Sequence, residues 1–136
     1  MQASKTGTVP LFTEVGLLIK NRMQRVMPLP FAQCQALWFV TQEGRPNMQD
    51  VAKHFKITAP SATFLIDELV RAGYLARRPS ASDRRKVELV LTQKGKRESK
   101  MLQEKRGKIL DGIFKSLSAA DRQDLNRILQ KIISNA

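Results

Sequence analysis

Residues 57–75 read ITAPSATFLIDELVRAGYL. Thr58 is a residue type whose hydroxyl caps a helix start, and Pro60 suits a first turn, where its missing N–H is no loss. Ala62, Leu65, Ile66, Leu69 and Val70 recur at spacings of three and four and form one apolar face. Gly73 is the residue expected just past a helix end. Upstream, Asn47 fits as the N-cap of a shorter helix that turns Met48, Val51, Ala52 and Phe55 inward. Residues 47–73 therefore predict two helices around a tight turn.

Working outward, residues 74–78 and 86–92 predict two short strands, the second with Val87, Leu89 and Leu91 alternating. Residues 79–83, PSASD, are turn formers. A hairpin behind a helix pair is a winged helix-turn-helix. Before it, Leu11, Val15, Leu18, Ile19, Met23 and Val26 fall at helical spacing. Pro28 and Pro30 end that helix, and Pro30 opens the next. The second helix carries Phe31, Cys34, Leu37 and Trp38 on one stripe and stops near Gly44. Beyond Gly95, Met101, Ile109, Leu110, Ile113, Phe114 and Leu117 form one apolar set. Ser118 caps a last helix with Leu125, Ile128, Leu129, Ile132 and Ile133. The expected fold class is mainly α, an α+β winged helix-turn-helix with long N- and C-terminal helices forming a dimerisation region. Its parts are an N-terminal dimerisation helix (1–30), the winged core (31–95) and C-terminal dimerisation helices (96–136).

The chain's 136 residues, 42% of them hydrophobic, suit one domain with its own core. Its outlying property is charge. Lys and Arg number 24 against 12 Asp and Glu, a formal net charge of +12. Such a balance calls for a polyanionic partner, nucleic acid or an acidic membrane surface. No stretch reaches the roughly 18 apolar residues of a membrane span. MQASKTGTVP at the start lacks the pattern of a secretory signal. A single cysteine excludes an internal disulfide and fits a reducing cytoplasm, the expected location.

A helix pair of this kind places its second helix in the DNA major groove. Ser61 and Thr63, flanked by Thr58, lie near the N-terminal end of that helix's polar face, where hydroxyls bond base edges or phosphates. Solvation of a helix start explains the same residues and stays open. The hairpin is more specific. Between residues 71 and 86 lie Arg71, Arg77, Arg78, Arg84, Arg85 and Lys86, against a single Asp83. A charge run is ordinarily a solvated face, but this one coincides with a turn behind a helix-turn-helix. Arginine enters a narrow minor groove, where the potential is most negative. Asp83, two positions before Arg85, is expected to hold that arginine's side chain.

Asp83-Arg84-Arg85, then Leu91-Thr92 and Gly95, resembles the D-x-R…L-T-x-x-G signature of MarR-type regulators. The preceding TAPSATFLIDELVRAGYLARR is similar to that family's recognition helix and first wing strand. The resemblance covers nearly the whole chain. It implies a homodimeric transcription regulator, a repressor on a pseudo-palindromic operator in double-stranded DNA. In that family the first and last helices build the dimer, and the arginine matching Arg85 enters the minor groove. Arg77, Arg78, Arg84 and Lys86 would then lie on phosphates. The chain departs from the family at Phe64, where a cation is frequent, and at Asp67 and Glu68 on the same helix. Phe64 is expected to pack locally, with contact to thymine methyls as the other reading.

Other residues carry less. His54 and Cys34, the only residues of their kinds, do not make an ordinary zinc site, and no metal or cofactor is expected. His54 is expected at the surface or facing phosphate. Cys34 is expected in the core, as an unreactive thiol. Trp38 and Phe31 fit either the core or a cleft of the kind in which the resembled family binds small aromatic acids; a small aromatic or phenolic inducer is the implied ligand. Residues 94–108 hold seven cations and two acids, a solvated helix face or a secondary backbone contact near Lys94, Lys96 and Arg97. No nucleophile–base pair or paired carboxylates stand at catalytic spacing, so no enzyme is expected. The rival reading is a winged-helix interaction module that docks on a protein or an anionic membrane through the basic helix of residues 94–117.

Overall fold

The computed structural model describes residues 6–136; residues 1–5, half of the stretch read for a secretory signal, lie outside the described residues. Six helices and two strands follow in the order α1 (Thr8–Val26), α2 (Phe31–Glu43), α3 (Met48–Phe55), α4 (Ala59–Arg71), β1 (Leu75–Pro79), β2 (Val87–Leu91), α5 (Gln93–Ile113) and α6 (Ala119–Ser134).

The helix starts follow their side chains. Asn47 accepts from the Asp50 N–H at 2.9 Å while the Asp50 carboxylate accepts from the Asn47 N–H at 2.8 Å, a reciprocal capping box. Ser118 and Asp121 repeat it at the head of α6, each bond 3.0 Å long. Thr58 Oγ1 accepts from the Ser61 N–H at the head of α4. The turn between α3 and α4 contains a feature that spacing does not reveal. Lys56 adopts φ 53° and ψ 46°, the left-handed region, so that the Ile57 N–H reaches back to the Ala52 carbonyl at 3.0 Å.

The core gathers from every central element. Leu37 and Val40 of α2, Val51 of α3, Ile66 and Leu69 of α4, Leu75 of β1 and Leu89 of β2 are fully buried. Leu102 of α5 closes the cluster. The stripe read on α2 divides: Leu37 enters the core with Ala36, Phe39 and Val40, whereas Phe31, Cys34 and Trp38 line a cavity. The C-terminal half of α2 is covered on several sides, which blurs the one-faced pattern.

The two strands pair antiparallel, from Leu75 opposite Leu91 to Pro79 opposite Val87. A segment ahead of α3 joins them as an edge: Asn47 bridges Glu88, and the Leu89 N–H donates to the Pro46 carbonyl at 2.8 Å. Leu89 is buried and Leu91 partly so, but Val87 is exposed because it has already reached the wing. At the root of the wing, Thr92 Oγ1 donates to the Gly73 carbonyl at 2.5 Å and accepts from the Gly95 N–H at 2.9 Å. That hydroxyl ties the end of α4 to the start of α5. α1 lies along α5, and α6 makes no sizeable contact with any other element. No helix among the described residues is long and apolar enough to cross a membrane.

Candidate nucleic-acid interface

The outward face of α4 begins at its capped end. Thr58 Oγ1 donates to Ser61 Oγ at 2.9 Å, and Thr63 Oγ1 donates back to the Ala59 carbonyl at 3.0 Å. All three residues are exposed, as is Arg71 at the far end. Phe64 does not pack locally. It stands 69% exposed, on the side of α4 opposite Ala62, Ile66 and Leu69. Nothing in α4 buries it, because positions 62 and 66 already occupy the inward face at two residues' remove on either side.

Both acids on this helix are paired, one from the wing strand and one within the helix. The Arg77 guanidinium in β1 pairs with the Asp67 carboxylate, and Arg71 pairs with Glu68 at 3.2 Å. Arg77, expected on a phosphate, shares its charge with Asp67, and the pair links wing to helix. Arg78 is exposed and donates to the Arg77 carbonyl at 3.1 Å.

The wing loop is ordered by its own small residues. Ser80 is buried, and its Oγ accepts from the N–H groups of Ser82 and Asp83. Asp83 also acts differently from expectation. Its Oδ1 accepts from the Arg85 backbone N–H at 3.0 Å, so it fixes the chain at Arg85 and leaves the guanidinium unheld. A carboxylate two residues back matches an Asx turn, in which the short side chain reaches the near backbone before a long side chain can fold over it. Glu88, the other nearby acid, is taken by Arg45 at 3.3 Å. Arg84, Arg85 and Lys86 are exposed and have no ion pair among the described residues.

A second feature lies inward. A cavity of about 240 Å³ is lined from α1, α2, α3 and α5, including Met23, Phe31, Cys34, Trp38, His54 and Arg106. The Arg106 guanidinium sits 3.6 Å from the centre of the Trp38 ring, and burial lowers its pKa. Among the described residues no carboxylate pairs with it. The Cys34 thiol is part-buried and donates to the Leu29 carbonyl at 3.5 Å. Burial pushes its pKa up, and the Glu98 carboxylate pushes the same way. Cys34 is thus a cavity residue at the core's edge. His54 is exposed, as expected, but its ring stacks on Phe39 with centres 4.3 Å apart. Spacing does not single out Arg106, which reads as one more cation of a basic helix. Its one detectable signal is its place on the same helical face as Ser99 and Leu102.

Known proteins share this fold. Residues 27–86 match the MarR family. The transcriptional repressor MprA of Escherichia coli strain K12 is 32% identical over 121 residues, covering 86% of this chain and 69% of that protein. Among solved structures, BpsR of Bordetella bronchiseptica, described with regulation of its DNA binding by 6-hydroxynicotinic acid, superposes with a TM-score of 0.79 at 24% identity, covering 100% of this chain and 99% of that one. MepR of S. aureus, solved as a complex with DNA, gives a TM-score of 0.79 at 18% identity, covering 98% and 99%.

Proposed function

The chain belongs to the MarR family, and we propose that it is a sequence-specific regulator of transcription, a repressor that binds a pseudo-palindromic operator in double-stranded DNA as a cytoplasmic homodimer. The observation that carries this reading is the wing. Three exposed cations, Arg84, Arg85 and Lys86, have no acidic partner among the described residues, on a loop whose backbone Ser80 and Asp83 hold in shape. Their mutual repulsion gains the fold nothing, and a phosphate-lined groove supplies the missing countercharge. Arg85 enters the minor groove in this reading, Arg84, Lys86 and Arg78 lie on phosphates, and α4 lies in the major groove with Thr58, Ser61 and Thr63 leading.

Two other observations support the assembly and its control. α1 exposes Val9, Leu11, Phe12, Val15 and Leu18, and α6 exposes Ile128, Leu129, Ile132 and Ile133. Apolar faces of that extent belong to an interface, and a second copy closing them across a two-fold axis matches a palindromic site. The cavity joins the outer helices α1 and α5 to α3 of the DNA-binding part. An apolar pocket with one half-buried, unpaired guanidinium suits a small aromatic acid. A ligand there touches both parts and shifts the angle between them, and with it the spacing of the two recognition helices.

Selection of bound fragments from random duplex DNA, followed by fluorescence anisotropy on the recovered sequence, tests the function. A recovered palindrome bound far more tightly than scrambled duplex is the expected result. Recovery of no common sequence overturns it. Trp38 is the only tryptophan. Titration with 6-hydroxynicotinic acid, followed by Trp38 fluorescence, tests the cavity.

A further inference from the structure

We propose that Phe64 is a specificity-determining residue that reads thymine methyl groups on the floor of the major groove. The inference rests on the DNA-binding reading above and adds to it the chemical feature that α4 recognises. Phe64 is 69% exposed and lies one turn beyond Pro60 and Ser61 on the outward face. A phenyl ring held in water forfeits the stabilisation that burial would give it. Of the neighbouring hydroxyls, that of Ser61 keeps its hydrogen for a base edge or phosphate, while two others are engaged within the helix. The Thr63 hydroxyl hydrogen is spent on the Ala59 carbonyl and that of Thr58 on Ser61 Oγ. Asp67 and Glu68, one turn further on, are paired to Arg77 and Arg71, so no bare carboxylate repels a phosphate backbone from this face.

At the centre of the outward face, one turn beyond Ser61, stands one large apolar ring. The charge around it fits DNA. The apolar feature that DNA presents in the major groove is the thymine C5-methyl group, and phenylalanine is among the side chains suited to it. Deoxyuridine lacks that methyl and keeps every hydrogen-bonding group of thymine, so the methyl can be removed from the DNA side alone.

The test uses a duplex selected from random DNA by the full-length protein. Each thymine is replaced in turn by deoxyuridine, and affinities are measured for the parent and for Phe64→Ala. The parent is expected to weaken roughly 4-fold at one or more thymines of each half-site, the equivalent of one methyl group returned to water. Phe64→Ala is expected to bind the thymine duplex several-fold more weakly than the parent and to be indifferent to the replacement at those positions. Phe64→Leu, which keeps an apolar group of smaller reach, should retain part of the sensitivity. A parent insensitive to deoxyuridine at every thymine overturns the proposal, as does a Phe64→Ala protein as sensitive as the parent. A change of assembly mass in Phe64→Ala with unchanged base preference also overturns it, by assigning the ring to a protein surface. If no duplex is selected, the regulator reading falls and this inference with it.

Discussion

Arg85 differs from its basic neighbours by where its backbone is held. Asp83 Oδ1 takes the Arg85 N–H, so the loop presents that side chain from a fixed point while the guanidinium stays free to enter a groove. Arg85→Ala is expected to cost on the order of 1–3 kcal/mol of binding per half-site and to reduce preference for A·T-rich flanks, since insertion depends on groove width. Anisotropy on A·T-rich and G·C-rich versions of one operator measures both. Asp83→Ala should show a weaker form of the same defect through a loosened loop. An unchanged affinity for both versions in Arg85→Ala would remove the wing from the interface. Cys34 offers a contrasting case. Burial and the Glu98 carboxylate both disfavour its thiolate, so the thiol titrates above the ordinary range and stays protonated at neutral pH. Alkylation by iodoacetamide at pH 7 should be slower than in the unfolded chain and should accelerate only at higher pH than for an exposed cysteine. Mild peroxide should leave DNA affinity unchanged in the parent and in Cys34→Ala alike. Peroxide-dependent release that Cys34→Ala abolishes would mark the thiol as a sensor.

At the scale of elements, the junction between wing and α5 rests on Thr92 and Gly95. The Thr92 hydroxyl joins the Gly73 carbonyl to the Gly95 N–H. Gly95 is buried, and a Cβ built on it would lie 1.9 Å from the Tyr74 carbonyl oxygen, which is backbone and has nowhere to go. Gly95→Ala should therefore destabilise by at least about 3 kcal/mol, the upper end of overpacking, in urea denaturation. A variant with the parent's midpoint would mean that β1 and α5 separate easily. The L-T-x-x-G spacing that marks the family is thus a packing requirement at this junction. Thr58→Ala removes the hydroxyl that caps α4 and should cost about 1 kcal/mol by the same measurement.

For the whole molecule, most of the exposed large apolar residues lie in α1 and α6, near the two ends of the chain, and the unpaired wing cations lie in its middle. Phe12 at 71% exposure and Ile133 at 74% are beyond what a lone helix leaves in water without a partner. Light scattering at micromolar concentration should give twice 15.4 kDa, and a clean monomer would sink the palindrome as well as the dimer. The charge is read by salt. Arg84→Ala and Lys86→Ala should weaken binding to all sequences alike, each lowering the slope of affinity against salt by about 1, the share of one neutralised phosphate. Arg77→Ala should behave differently. It frees Asp67 on α4, so its effect should exceed that of removing one phosphate-binding cation.

The sequence by itself determined what depends on near neighbours. Helical spacing, the caps at Asn47, Thr58 and Ser118 and the turn at Gly73 all act within a few residues, so element order and the winged core are legible to within a residue or so at most boundaries. The Lys56 turn is not, because nothing in lysine advertises a left-handed backbone. Only the tertiary structure decided which cations are free. Arg77 finds Asp67 ten residues away, and Arg45 takes Glu88 across the sheet edge, pairings that composition does not distinguish from the bare charges of residues 84–86. It also decided that Phe64 faces outward and that Arg106 meets Trp38, 68 residues earlier in the chain. Spacing along the chain marks which face of a helix is apolar, but which charges pair, and which rings and cations meet, is set by what lies across space.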